Sequence, residues 1–383
     1  MYSNFLLKAI VKYFEFTLFV SCLYYFITLL WFIKGTFISK NIIKKPTNPG
    51  VSVIVSIRNG DKALPQIIKN LENQTYSGNL EFLLVDDDST DKTAQIIQKK
   101  EKEDNRFKYI HSKKGNPKLT FKKRGIDAGI CSSKYDVLLF TDVDCNLLPT
   151  WVQGMNDFFN DDIDYIIGYS ETRSTQKFVS KFQKIDFLML MSSARSSAVL
   201  GHPWASSGQN QGYKKSIYLE SGGFSDIANQ LQGDDSLFLN MCYNKLNIKT
   251  TFADNSTTFV TSRPERTWRS FLKQRIRWAG DANIMWKFNK IFFISICATF
   301  VANLLLLIGV FISFSNLVLT CLFLKFSLEF ILYFMGSKQF NSKINFIYFV
   351  AWFVIQIPYI IAMGLLSTIS KYLSWRGRKV TVR

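Results

Sequence analysis

Uncharged stretches near the two ends of the chain enclose a long middle in which short apolar runs alternate with amphipathic ones. Residues 16–33 form an eighteen-residue stretch without a charge, long enough for a helix to cross a bilayer with little tilt. The run exceeds the apolar core of an ordinary signal peptide, and no small-x-small cleavage site precedes Lys34, so it reads as an anchor. Toward the other end, 291–324 and 344–370 are uncharged, which predicts spans near 291–313, 316–335 and 346–367. Lys325 and Glu329 interrupt them four residues apart, on one helix face where they can neutralise each other. Three crossings would separate the end of the chain from the central unit. The segment with Lys325 and Glu329 is therefore the candidate for a re-entrant or interfacial element.

The middle, 46–290, follows a turn-rich linker over 46–50. Residues 51–57 (Val-Ser-Val-Ile-Val-Ser-Ile) read as a buried strand and 61–71 as a helix. A second strand over 81–85 ends on Asp86-Asp87-Asp88-Ser89, with a helix over 90–100 after it. A third over 136–141 ends on Asp142-Val143-Asp144. Strands recurring at intervals of about 30 residues, with helices between, predict βαβ units and a mainly parallel, Rossmann-like sheet. Ligands bind such sheets beyond the carboxyl ends of the strands, where both acidic clusters fall. The expected division is an anchor over 1–45, an α/β domain over 46–262, an amphipathic interfacial segment over 263–290, a membrane region over 291–370 and a basic tail over 371–383.

Charge fixes an orientation and removes several classes of function. Lys34, Lys40, Lys44 and Lys45 follow the first apolar run against Lys8 and Lys12 before it, which puts the α/β domain in the cytoplasm. The tail carries Lys371, Arg376, Arg378, Lys379 and Arg383 without an acid and asks for the same side. Lys plus Arg exceed Asp plus Glu by 47 to 29, and the excess concentrates in 34–45, 99–124, 263–290 and the tail. Three of these patches flank apolar segments, where anionic headgroups attract them. No RRM, zinc-finger or KH pattern accompanies them, so no nucleic acid is expected as a partner. Two histidines, His111 and His202, exclude a His-rich zinc site, and six cysteines without a C-x-x-C pair exclude zinc ribbons and disulfide scaffolds.

Asp142-x-Asp144 offers two carboxylates on one side of an extended segment, hard oxygen ligands suited to Mg²⁺ or Mn²⁺ with substrate phosphates. Solvated turn residues give the same pattern. Asp86 and Asp87 can accept hydrogen bonds from the base and ribose of a nucleotide, or Asp88 and Ser89 can simply cap a helix. Asp234-Asp235 precedes a helix-like run. One carboxylate beside another, near a dication, can serve as a general base, and helix capping is the alternative. Gln274-Arg275-Ile276-Arg277-Trp278 lies on a basic amphipathic stretch that a surface-lying helix also explains. Lys122, Lys123 and Arg124 can add positive field beside such a site, but they read first as solvated surface.

Together these motifs resemble the membrane-bound, inverting family 2 glycosyltransferases, whose fold is GT-A. Residues 51–59 are similar to the family's opening strand, and Val85-Asp86-Asp87-Asp88-Ser89-Thr90-Asp91 resembles its V-D-D-G-S-T-D. Thr141-Asp142-Val143-Asp144-Cys145 is similar to its D-x-D motif. Gly208-Gln209-Asn210-Gln211-Gly212-Tyr213, with Gly222-Gly223-Phe224, resembles its acceptor-side segment. Asp234-Asp235 stands where the family has E-D, and Gln274-x-x-Arg277-Trp278 matches Q-x-x-R-W. Trp375-Arg376-Gly377-Arg378 resembles a W-x-G-R element of lipid-directed members. Similar enzymes include cellulose, hyaluronan and poly-N-acetylglucosamine synthases and ceramide glucosyltransferase-like proteins. Two positions depart: Asn59-Gly60 replaces Asn-Glu, and Asp88 replaces a Gly where the turn can need positive φ.

The resemblance implies a nucleotide-sugar donor, commonly a UDP-sugar, and a lipid or glycan acceptor at a bacterial cell membrane. It implies Mg²⁺ or Mn²⁺ on Asp144 and Asp142, and Asp86 and Asp87 on the uridine. Gln274, Arg277 and Trp278 would lie at the diphosphate, Gly208, Asn210 and Asp234 on the acceptor side, and Asp235 would be the base. Competing classes are an inactive member of the family, a tethered protein binding anionic lipid or nucleic acid, and a transporter using Lys325 and Glu329.

Overall fold

The computed structural model describes residues 2–39, 48–159, 162–312 and 315–368. Lys40, Lys44 and Lys45, part of the linker, and the basic tail with its Trp375–Arg378 motif lie outside the described residues. In chain order, α1 (Tyr2–Thr36) leads to β1 (Val51–Ile57), α2 (Leu64–Glu72), β2 (Leu80–Asp86), α3 (Thr93–Glu103), β3 (Phe107–His111), α4 (Phe121–Ser132) and β4 (Val137–Phe140). Then come β5 (Cys145–Asn146), α5 (Trp151–Asn156), β6 (Tyr165–Gly168), β7 (Ser170–Thr172), α6 (Phe178–Val199), β8 (Gln211–Lys214), α7 (Lys215–Glu220) and α8 (Ser236–Leu246). The chain continues through β9 (Thr250–Ala253), β10 (Val260–Ser262), α9 (Trp268–Gly280), α10 (Ala282–Phe288), α11 (Lys290–Ile312), α12 (Asn316–Gln339) and α13 (Phe346–Leu366).

The main sheet has the order β3-β2-β1-β4-β8-β6-β9. β3, β2, β1 and β4 are parallel, whereas β8 pairs antiparallel with both β4 and β6. Alternation divides the strand residues between two cores. Ile54, Leu83 and Leu138 face α4 and α6, while Val53, Leu84 and Leu139 face α2, α3 and α5. The first core runs on without a break into Leu18 of α1 and Leu306 of α11, so the sheet and the apolar helices share one interior. α4 lies close on β1: a Cβ on Gly129 would stand 2.5 Å from Ile54 Cγ2.

Among the described residues four helices (α1, α11, α12 and α13) are long and apolar enough to cross a membrane. Three of them run between the α/β domain and a far end. α1 packs Trp31 against Trp204 of the domain at 4.8 Å, and its other end brings Phe14 to Gly309 of α11. α12 starts at that far end with Val318 against Gly309 and ends with Phe340 stacked on Tyr169 at 3.8 Å. α13 behaves differently. Its Tyr348 meets Phe178 and Lys181 at the start of α6, and Ser367 just past its end accepts from Asn283 Nδ2 at 3.1 Å. It therefore begins against α6 and ends against α10.

This corrects the expectation for Lys325 and Glu329. α12, which carries them, is one unbroken helix, and α13 is the element that returns. Residue 340, just past α12, stands against Tyr169 of the domain, and residue 367, just past α13, against Asn283 of α10. Lys325 Nζ lies 2.7 Å from Glu329 Oε1, and neither side chain is more than 1% exposed. Tyr25 OH donates to Glu329 at 2.5 Å and Gln356 Nε2 donates at 3.0 and 3.1 Å. With its neighbours satisfied in this way, the pair pins α1, α12 and α13 together.

Candidate active site

β1 and β2 end side by side, with Ile57 opposite Asp86. Asp86 is buried; Ser89 N–H donates to its Oδ1 at 3.0 Å and Tyr109 OH to its Oδ2 at 3.2 Å. The buried Asp87 donates its N–H to Ile57 O at 2.7 Å. Arg58 Nη1 donates to the carbonyls of Asp87 and Asp88 at 2.8 and 2.7 Å. Asp88 adopts φ +51°, the left-handed conformation the resemblance expects of a glycine, and Asp is among the residues that tolerate it. Asn59 at φ +50° accepts from Thr90 N–H at 2.8 Å, and Gly60, the other departure, donates its N–H to Thr93 Oγ1 at 2.8 Å where a Cβ would stand 2.6 Å from Ile57 Cγ2.

The capping alternative for Asp88 and Ser89 fails, because α3 starts later, after Lys92. Asp91, which local sequence does not single out as a site residue, accepts from Asp61 N–H at 3.1 Å and Thr93 N–H at 3.0 Å. Burial raises its carboxyl, but these donors outweigh burial and hold it below the ordinary range.

Past β4 the chain turns rather than staying extended: Cys145 N–H donates to Asp142 O at 3.1 Å. Val143 is buried between Asp142 and Asp144, which both reach solvent in part. Among the described residues no hydrogen bond or ion pair holds the Asp144 carboxylate. Lys122 Nζ lies 3.0 Å from Asp142 Oδ1 and 2.9 Å from Asp234 Oδ2. Asp235 caps α8, accepting from Ser236 N–H at 2.6 Å, and also accepts from Gly208 N–H at 3.2 Å. Capping and site membership therefore coexist at Asp235.

Lys122 and Lys123 are not solvated surface. The Lys122 ammonium bridges two acidic motifs 92 positions apart in sequence. It follows Phe121, which sits at φ +53°, a strained conformation for an aromatic residue and one that clusters at functional sites. Lys123 is 1% exposed and donates to the carbonyls of Gln230 and Gln232, clamping the loop before Asp234.

The electrostatics follow from this crowding. Burial, then Asp234, pushes the Asp235 carboxyl up to about 6, against the opposing pull of Lys122. Burial raises Asp142 as well. Burial works against the Lys122 charge, yet Asp142, Asp234 and Asp235 hold its ammonium well above the usual range. Burial brings Lys123 down to about 8. Lys122→Met is accordingly expected to move the acid limb of the pH–rate profile upward, since it removes the cation that favours ionised Asp235. A limb that stays in place would assign it to another group.

Gly208 packs on this cluster; a Cβ there would stand 2.8 Å from Lys122 Nζ and 3.1 Å from Asp234 Oδ2. Asn210 does not join it. Its amide is fully buried, donating to Tyr169 O and Thr258 O at 2.8 Å and accepting from Trp151 Nε1 at 3.0 Å. Asn210 thus holds core strands together rather than lining the acceptor side, which corrects the sequence expectation.

Along α9, Thr267 and Ser270 form a capping box, and Phe271 and Arg275 turn inward. Arg275 pairs with Asp186 of α6 at 2.8 Å and lies 4.1 Å from the Trp278 ring. Trp278 is thereby packed on Arg275 and Phe187, while Gln274 and Arg277 stay half-exposed. Asp281, one turn past Arg277, faces the carboxylate cluster. Burial, then Asp235, raises it well above the ordinary range. Nothing in local sequence singles it out.

A mostly parallel sheet with one antiparallel strand, carrying acids at the ends of β2 and β4 and Asp235 at the cap of α8, defines a GT-A-like fold. Residues 52–222 match the family described as Glycosyl transferase family 2, and the chain carries a domain of that family. It is 31% identical over 120 residues to the glycosyltransferase GlyG of Streptococcus pneumoniae, covering 31% of this chain and 38% of that protein. It is 39% identical over 62 residues to a Campylobacter jejuni GalNAc(5)-diNAcBac-PP-undecaprenol beta-1,3-glucosyltransferase, covering 16% and 20%. The chain thus spans well under half the length of these relatives. Over the whole fold it is similar to the mannosyltransferase PcManGT from Pyrobaculum calidifontis, solved in complex with GDP-Man and Mn²⁺. The TM-score is 0.64 at 15% identity, covering 94% of this chain and 99% of that one.

Proposed function

We propose that the protein transfers a hexosyl or N-acetylhexosaminyl group from a nucleotide sugar, a UDP-sugar in the first instance, to a lipid, lipid-linked or growing glycan acceptor with inversion at C1. The observation that carries this reading is the Lys122 bridge, which sets the strand-end acids beside the capped Asp235. Asp235 takes the proton from the acceptor hydroxyl as that oxygen attacks C1 in line. Lys122 keeps Asp142 and Asp234 in register and adds positive potential where the diphosphate charge develops. Asp86 and Asp87 hold the nucleoside. Gln274 and Arg277 border the diphosphate, with Trp278 holding their helix in place, and Gly208 and Asp234 line the acceptor side.

Among the described residues no three His, Cys, Asp or Glu side chains gather into a metal cage, and Asp144 has no protein partner. Two carboxylates placed in this way suit Mg²⁺ or Mn²⁺, which take their other ligands from phosphates and water. Asp144 and Asp142 would hold that cation, which when bound neutralises the departing nucleoside diphosphate. PcManGT was solved with GDP-Man and Mn²⁺, and the C. jejuni relative is named for a lipid-linked acceptor; both support this reading.

Purified protein in detergent, offered UDP-hexoses, UDP-N-acetylhexosamines and GDP-mannose, is expected to release nucleoside diphosphate from one of them only with Mg²⁺ or Mn²⁺. Asp144→Asn is expected to raise the half-activating metal concentration about 10–100-fold, the scale of loss for outer-shell metal partners and a floor for a direct ligand. An unchanged metal titration would remove Asp144 from that role.

A further inference from the structure

A crevice of about 670 Å³ opens where α1 and α11 meet the domain, away from the carboxylate cluster. Its size is that of a small-molecule site. Its lining joins membrane-helix surface, including Tyr24 and Trp31, to His202 and Trp204 of the loop after α6. Trp31 and Trp204 of the lining meet at a tilt, 4.8 Å between ring centroids, and Phe292 stacks on Trp204 at 5.0 Å, which stiffens this aromatic part of the crevice. Lys287 and Lys290 stand at its edge, both exposed, and among the described residues no Asp or Glu lines it. An apolar wall continuous with membrane-spanning helices, under two ammonium groups and an imidazole, suits a ligand with a long apolar chain and an anionic head.

Two elements lead from this crevice to Asp235. Tyr243 and Asn244 line it from α8, whose N-terminal cap is Asp235, nine residues or about 13 Å away along the helix. The loop that begins with His202 continues to Gly208, whose N–H donates to Asp235. A diphosphate and a sugar unit bridge such a span. We infer that the crevice between α1 and α11 binds the phosphate head of a long-chain membrane lipid and presents its attached acceptor group toward Asp235. Lys287, Lys290 and His202 hold the phosphate oxygens, Trp31 and Trp204 hold the first carbons of the chain, and the remainder lies along α1 and α11. This inference rests on the transfer reading above and names its acceptor.

The test uses the full-length protein in detergent with a long-chain alkyl phosphate bearing a diazirine next to its head, and with the matching alcohol. Cross-linked peptides are mapped by mass spectrometry, and nucleoside diphosphate release is followed in the same samples. Labelling by the phosphate probe is expected in 24–31 and 287–295, with the alcohol labelling weakly. The double variant Lys287→Gln/Lys290→Gln is expected to lower that labelling about tenfold, the scale of losing charge-assisted contacts, while donor hydrolysis is kept. Equal labelling by the alcohol, or labelling indifferent to the double variant, overturns the inference. Specific labelling by a protein that hydrolyses no nucleotide sugar removes the acceptor role and the transfer reading together, leaving a lipid site alone; absent labelling of the unsubstituted protein with its donor hydrolysis intact removes only the crevice.

Discussion

Asp235→Asn is expected to keep donor binding and lose transfer by at least about 10²-fold, the ordinary scale of a general-base contribution. The substitution is informative because it separates two roles of one side chain. Asp235 caps α8 through Ser236 N–H and receives Gly208 N–H, and asparagine caps helices about as well as aspartate. The fold should therefore survive. The wild-type carboxyl sits near 6, above its value in an unfolded chain, so the native state binds its proton more tightly. Its contribution to stability is present below the unfolded value and is lost as pH rises through about 6. At pH 7 the Asn variant should then melt no lower than wild type. Its catalytic counterpart runs the other way: wild-type kcat/KM should climb with pH through an apparent value near 6, and that limb should vanish with Asn. Normal turnover in the variant would end the base assignment, whatever its melting point.

The parts of this site that local sequence exposes are those that local chemistry dictates. β1, β2 and β4 are short runs of apolar residues bounded by acids, and a strand buried on both faces has to look like that. The strand-end carboxylates follow from the same pattern. β3 was hidden, since Phe107–His111 alternates inside a run of lysines and arginines that reads only as charge. Lys122 was hidden for a stronger reason. A lysine in a basic stretch looks solvated until the fold brings Asp142 and Asp234 to it, and those partners lie 20 and 112 positions away. Asn210 fails in the opposite direction: its place in a motif suggests the acceptor side, while three core hydrogen bonds consume its amide. α13 has the composition of a membrane span. Only its contacts reveal that it begins against α6 and runs along α9 to α10.

Arg275→Met is expected to destabilise the protein by about 3–5 kcal/mol, the usual consequence of leaving one member of a buried ion pair alone. Arg275 and Asp186 are 2.8 Å apart with side chains only 5% and 9% exposed. Burial already raises the Asp186 carboxyl against the pull of Arg275, so the carboxylate depends on that guanidinium to stay charged. Trp352 and Tyr359 of α13 face the same pair, and Trp278 and Phe271 pack on the guanidinium. One arginine thus holds α9 to α6 and α13, and with it the register of Gln274, Arg277 and Asp281. The double variant Asp186→Leu/Arg275→Met should recover most of the lost stability, because apolar replacements of a buried pair are often neutral or better. Thermal unfolding of the two single variants and the double in one detergent forms the cycle. Recovered stability without recovered donor hydrolysis would assign the pair to positioning α9 against the site. Additive losses in the double variant would instead mean that packing of each side chain, rather than their charges, holds the three helices together.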